Sequence, residues 1–174
     1  MHTDFEQALQ QVRLGDDVVL HSETRDEVAA ACLHMALPAT FRLDVISRDL
    51  EPAIFDNEDF YLAVKQLAMR SPKSKVRILI QNSEHIVKHG HRLIELSQRL
   101  SSHIDIHLQG RDFREFNEAW LLVDDRGWAR RPQADRFKGE FHFNAPREVR
   151  ERTKEFNTMW DVSIEDPNLR RLYL

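Results

Sequence analysis

The sequence has a single cysteine, five glycines and six prolines in 174 residues. Cys32 has no partner for an internal disulfide, which fits a reducing compartment. The glycines are scattered, and neither G-x-x-x-x-G-K-[ST] nor G-x-G-x-x-G occurs, so the phosphate-cradling loops of nucleotide-binding folds are excluded. The Arg/Gln-x-x-Gly-x-Gly/Ala loop of acetyltransferases is missing too. No apolar run approaches the roughly 20 residues of a membrane span. The amino terminus, Met1 to Glu6, is acidic with no long apolar run after it, which reads as neither a signal peptide nor an anchor. Positive charge is not in excess: 25 Lys and Arg stand against 29 Asp and Glu, a net −4. That balance argues against a general nucleic-acid binder and against adhesion to anionic membranes. A cytoplasmic location is the expectation.

What is present is ordinary for a globular chain, with 41% apolar and 31% charged residues. The length suits one domain over residues 1–174 with its own core. No internal repeat, low-complexity tract or linker divides it.

Periodicity and capping signals predict the elements in order. Phe5, Leu9 and Val12 fall at helical spacing, predicting a helix over about residues 4–14. Val18 to His21 reads as a short strand. Thr24-x-x-Glu27 is a capping box opening a helix over about residues 25–37. Cys32 lies in that helix's apolar stripe and reads as a small buried hydrophobe rather than a nucleophile. Phe41 to Ser47 alternates and predicts a strand, followed by a loop over 49–54. Asp56 or Asn57 caps a helix to about Met69. Val76 to Ile80, the most apolar strand, fits a fully buried central position. His85, His89 and His91 cluster around Gly90. At i and i+4 two imidazoles could share a helix face, but without further ligands this reads as a solvated loop and no metal site. A short helix over 92–100, a strand at 104–108 and a charged loop at 109–116 follow. The last strand spans Gly139 to Phe143, and a long helix opens at Asn144 and Pro146, with Val149, Phe156 and Trp160 on one face.

The pivotal stretch is Asn117-Glu118-Ala119-Trp120-Leu121-Leu122-Val123-Asp124. Ala119, Leu121 and Val123 share one face and Glu118, Trp120 and Leu122 the other, the period of a strand. Asp-Asp-Arg-Gly then reads as a hairpin turn, with Trp128 to Arg130 returning. Asp124 and Asp125 point to opposite sides, which suits a turn better than a shared carboxylate site. From Arg126 to Lys154, nine Lys or Arg stand against four Asp or Glu. Trp120, Trp128 and Trp160 read as core or half-buried sheet residues.

This stretch resembles the phospholipase D-like superfamily, which carries H-x-K-x-x-x-x-D on such a strand. The same spacing here holds Asn117, Ala119 and Asp124. The Val-Arg-Ile-Leu-Ile strand behind a helix and basic turn is similar to the family as well. So is the close, where a strand and Asn-x-Pro turn lead into a helix bearing Phe156-x-x-x-Trp160. The likeness covers about residues 41–162, one half-unit of a two-lobed enzyme, and residues 1–38 add a helix-strand-helix extension. The resemblance implies an α/β fold, a mixed sheet with helices on both faces, in an uncharacterised bacterial domain family. It also implies what has been lost. In the family the His attacks phosphorus, the Lys neutralises phosphoryl oxygens, and a second H-x-K set supplies the acid. Asn117 is neither a useful nucleophile nor a proton carrier near neutral pH, and Ala119 has no charge. The G-S-x-N positions fall at Arg131, Pro132, Gln133 and Ala134 and none matches.

The expectation is therefore a non-catalytic binding or interaction module without a cofactor. It could retain an anion pocket for a phosphate-containing small ligand around Arg126, Arg130, Arg131 and His107. Resemblance implies a homodimer across the old active-site face, or a protein partner such as an acetyltransferase served as an auxiliary domain. An enzyme with displaced chemistry would use His107, Asp124 or the His85–His91 cluster and needs two such groups within about 3 Å.

Overall fold

The computed structural model describes residues 2–171. The elements are α1 (His2–Gln11), β1 (Val19–Ser22), α2 (Arg25–Ala36), β2 (Arg42–Ser47), α3 (Pro52–Phe55), α4 (Glu58–Arg70), β3 (Lys75–Ile80), α5 (Glu84–His89), α6 (Arg92–Arg99), β4 (Ile104–Leu108), β5 (Ala119–Val123), β6 (Gly127–Arg131), β7 (Gly139–His142), α7 (Pro146–Asp161) and α8 (Pro167–Arg171). A 3-10 turn, Arg111–Phe113, leads toward β5. The cap signals act as the sequence predicts. Thr24 accepts from the N–H of Glu27 at 3.2 Å, and Asn57 accepts from the N–H of Phe60 at 2.9 Å.

The strands form one seven-stranded mixed sheet in the order β1-β7-β6-β5-β2-β3-β4. β2, β3 and β4 run parallel, and the other pairings are antiparallel. Helices cover both faces, unequally. On one face Leu43, Val45, Val76, Ile78, Leu121, Val123 and Phe141 join side chains from α1, α2, α3, α4 and α6 in the larger core. On the other, Ile46, Leu79, Trp120, Leu122 and Trp128 pack against Val149, Phe156 and Met159 of α7. Every residue of β5 is buried, because this fourth strand of seven has partners on both edges and layers on both faces.

Four expectations change. Residues 52–55 form α3 instead of loop, since Pro52 sits at the first helical position, where its missing N–H costs nothing. The His85–His91 segment is not a solvated loop: His85 and His89 lie on α5, and His91 is the buried N-cap of α6, 3% exposed. The apolar strand β3 is sixth of seven; the centre belongs to β5. On α7 the third buried residue is Met159, while Trp160 is half-buried and stacks on His107.

Candidate functional site

The motif positions on and beside β5 fall into three separate settings. Asn117 precedes the strand, is exposed, and its carbonyl accepts from the N–H of Ala134 at 2.8 Å. Ala119 opens the strand, is buried, and is the cross-strand partner of Arg131. The Arg131 side chain is only 5% exposed. Its guanidinium donates to both carboxylate oxygens of Glu51, through Nη1 at 3.2 Å and through Nη2, and to the carbonyl of Arg136 at 2.9 Å. It also lies 5.9 Å from the Phe137 ring centroid. Glu51 reaches this point from the N-cap of α3. The space left beside Ala119 is about 20 Å³, bordered by Cys32, Phe55 and Arg131. That is room for about one water and too little for a phosphodiester. Cys32 is inert there, its thiol pushed up to about 12 by burial.

Asp124 lies just past the opposite end of β5, five residues or about 16 Å of extended chain from Ala119. It adopts φ 52, a left-handed conformation that Asp tolerates. Its carboxylate accepts from the N–H of Thr40 (3.0 Å), the Thr40 hydroxyl (3.1 Å), and the N–H groups of Phe41 (2.9 Å) and Arg42 (3.0 Å). A carboxylate has about four acceptor sites, so these donors occupy its capacity. The acid thus ties the hairpin turn to the start of β2, a role no local spacing reveals.

The four basic candidates do not converge. Arg126 is exposed in the turn, and its carbonyl accepts from Ala145 N–H at 2.8 Å, seating the start of α7. Arg130 points to the face opposite Arg131 and pairs with Glu118, Nε to Oε1 at 2.6 Å and Nη2 to Oε2 at 3.2 Å. That bond is the main cause holding the Glu118 carboxyl below its usual value. His107 is on β4, four strand spacings or about 19 Å from β6. It stacks on Trp160 with centroids 4.1 Å apart, and its Nδ1 is 2.8 Å from Ser163 Oγ. His91, His107 and Asp124 likewise occupy three distinct environments. His85 and His89 are neighbours, with ring centroids 4.5 Å apart. Among the described residues, no group of three or more His, Cys, Asp or Glu is placed to hold a metal ion.

A buried charge cluster went unseen in the sequence. Asp44 on β2 has no exposure and receives Nε and Nη2 of Arg77 from β3 at 2.9 and 3.1 Å. Arg42 Nε stands 3.6 Å away. Arg77 continues to Asn157 Oδ1 at 2.9 Å and lies 4.7 Å from the Phe156 ring centroid on α7. Burial pushes the Asp44 carboxyl up, against the pull of Arg77 and Arg42. The available signal was a lone charge inside each of two apolar strands, which the parallel register sets side by side.

This arrangement of sheet, hairpin and closing helix is the phospholipase D-like α/β fold. NucT from Helicobacter pylori matches with a TM-score of 0.61 at 12% identity, over 86% of this chain and 100% of that one. The phospholipase D family member Nuc from Salmonella typhimurium matches at 0.58 and 12%, over 84% and 95%. TrmBL2, an archaeal chromatin protein whose structure shows a novel mode of DNA binding, matches at 0.63 and 13%, over 95% of this chain. The chain spans 60% of TrmBL2's length. No curated protein matches the sequence. Within that fold class the chain belongs to the family described as a domain of unknown function, DUF7931, whose model matches residues 24–172.

Proposed function

We propose that this chain is a phospholipase D-like domain that binds without cleaving phosphodiesters. One observation carries the reading: beside Ala119, where the fold's enzymes are expected to hold a lysine, the Arg131–Glu51 pair fills the space and neutralises its own charge. Asn117 supplies no nucleophile, and Asp124 spends its carboxylate on backbone N–H groups. Loss of a nucleophile alone costs on the order of 10⁶ in kcat in a hydrolase studied this way. The domain then serves as an interaction module, pairing with a second copy of itself or with another protein. Its net −4 charge sets it apart from a general DNA binder, whatever the DNA binding of TrmBL2. Among the described residues no helix is long and apolar enough to cross a membrane.

The test is hydrolysis of bis(4-nitrophenyl) phosphate by the purified chain. Nitrophenolate release should not exceed the protein-free blank. Release that co-elutes with the folded chain would overturn the reading.

A further inference from the structure

A second basic group lies apart from the Arg126, Arg130, Arg131 and His107 candidates, and two of its members, Arg150 and Lys154, close the basic run from Arg126 to Lys154. A cavity of about 470 Å³ opens between the start of β2, the β5–β6 turn and the first half of α7, lined by Arg42, Asp125, Pro146, Arg150, Thr153 and Lys154. We propose that this cleft binds a phosphomonoester group.

The charges on α7 carry the argument. Arg152 is paired twice, with Glu148 at 2.7 Å and Glu155 at 2.8 Å. Arg150 and Lys154 flank it, are exposed, and make no ion pair among the described residues. They stand one helical turn apart, where like charges repel and weaken an isolated helix. Facing them, Arg42 is held in place by the carbonyl of Asp124 at 2.9 Å and the Asp125 carboxylate at 3.3 Å. Its Nε is buried and faces the Asp44 carboxylate at 3.6 Å, an ion pair longer than a hydrogen bond. The cleft lining therefore carries three cations and one carboxylate, and Asp44 behind Arg42 is balanced by its closer pair with Arg77. A phosphomonoester carries about −1.5 to −2 near pH 7, close to the surplus, whereas a diester carries one negative charge. Arginine forks match phosphoryl oxygens in geometry. The positive end of α7, which has no side-chain N-cap, adds to the same field. The volume lies in the range of small-molecule sites. The cleft is at the Asp124 end of β5, away from Ala119, so it does not depend on whether the domain cleaves diesters.

The experiment is an amide-shift titration of the full chain with adenosine 5′-monophosphate and with inorganic phosphate, and adenosine as the blank. Both phosphates should shift Arg42, Asp125 and residues 147–154 saturably at low ionic strength, and adenosine should not. Arg150→Gln and Lys154→Gln should each weaken binding about tenfold without lowering the thermal midpoint, because both side chains are exposed. Arg99→Gln, on α6, should leave affinity unchanged. Vesicles containing phosphatidic acid distinguish a lipid headgroup from a soluble ester, and binding to either supports the site. No saturable shift at millimolar phosphate, or binding undiminished in the double variant, overturns it. Nitrophenolate release in the hydrolysis assay would sink the non-catalytic reading and leave this cleft standing; absent phosphate binding does the reverse.

Discussion

His91 sits between two short helices with both ring nitrogens engaged. Nδ1 accepts from the N–H of Leu93 at 3.1 Å, and Nε2–H reaches the carbonyl of Leu50 at 3.0 Å. That pattern requires the neutral imidazole. Burial, chiefly, pulls its pKa below the ordinary value, with Asp56 pulling the other way. The unfolded chain, with its histidine near 6.5, therefore takes the proton first. The contribution of His91 is complete above about pH 6.5 and is lost as pH falls toward the lower folded value. The thermal midpoint should be higher at pH 7.5 than at pH 5.5, and His91→Gln should shrink that difference. An unchanged pH profile in the variant would refute it. At this scale the sequence exposes positions better than partners. Asp124 stands out by spacing, yet its carboxylate serves Thr40, Phe41 and Arg42, more than 80 residues earlier. Ala119 stands out by spacing as well, whereas the Arg131–Glu51 pair beside it depends on a cross-strand register and a short helix that no local pattern encodes.

Elements with caps and clear periods are legible; those made by tertiary packing are not. α2 and α4 begin where Thr24 and Asn57 announce them, and β5 with its hairpin follows from alternation and the Asp-Asp-Arg-Gly turn. α3 and α5 are too short to show a period and are held by the layer beneath them. The 109–116 connection looks featureless in sequence but is anchored at its start. Leu108 and Ile164 exchange N–H to carbonyl bonds at 2.8 Å. Beside them Gly110 passes so close to α7's exit that a Cβ would meet the Val162 carbonyl oxygen at 2.3 Å. Gly110→Ala should therefore destabilise by about 1–3 kcal/mol, read as a lower urea midpoint at constant m. An alanine merely restricting the unfolded chain would instead stabilise by about 0.4–1 kcal/mol, so the sign decides.

Across the whole molecule the two layers are unequal. Several helices share the larger core, whereas α7 is the helix closing the other face over Trp120 and Trp128. Arg152 lies 5.7 and 5.4 Å from those two ring centroids. Phe156, fully buried at the middle of that lid, touches Arg77 and Trp160 as well. Phe156→Ala should cost about 3–5 kcal/mol and shift tryptophan emission to the red as water reaches the rings. Phe60→Ala, an equally buried deletion in the larger core, should cost a similar amount with no red shift in the folded state. Equal emission from both variants would contradict this division of labour. The mixed sheet with helices on both faces was foreseeable from alternating elements and from the resemblance around β5. The imbalance was not, because the 3.6-residue period shows that a helix has a buried face, not which side of the sheet receives it.

The closing of the sheet at β1 has a consequence for how the chain is born. Among the described residues, Val19 to Ser22 pairs as a strand only with Gly139 to His142. On a ribosome adding about 5–20 residues per second, the first strand waits roughly 6–24 s for the segment it must join. The parallel β2–β3–β4 unit can assemble in that interval, so β1 docks only after it and stays open meanwhile to capture by a chaperone or to exchange between nascent copies.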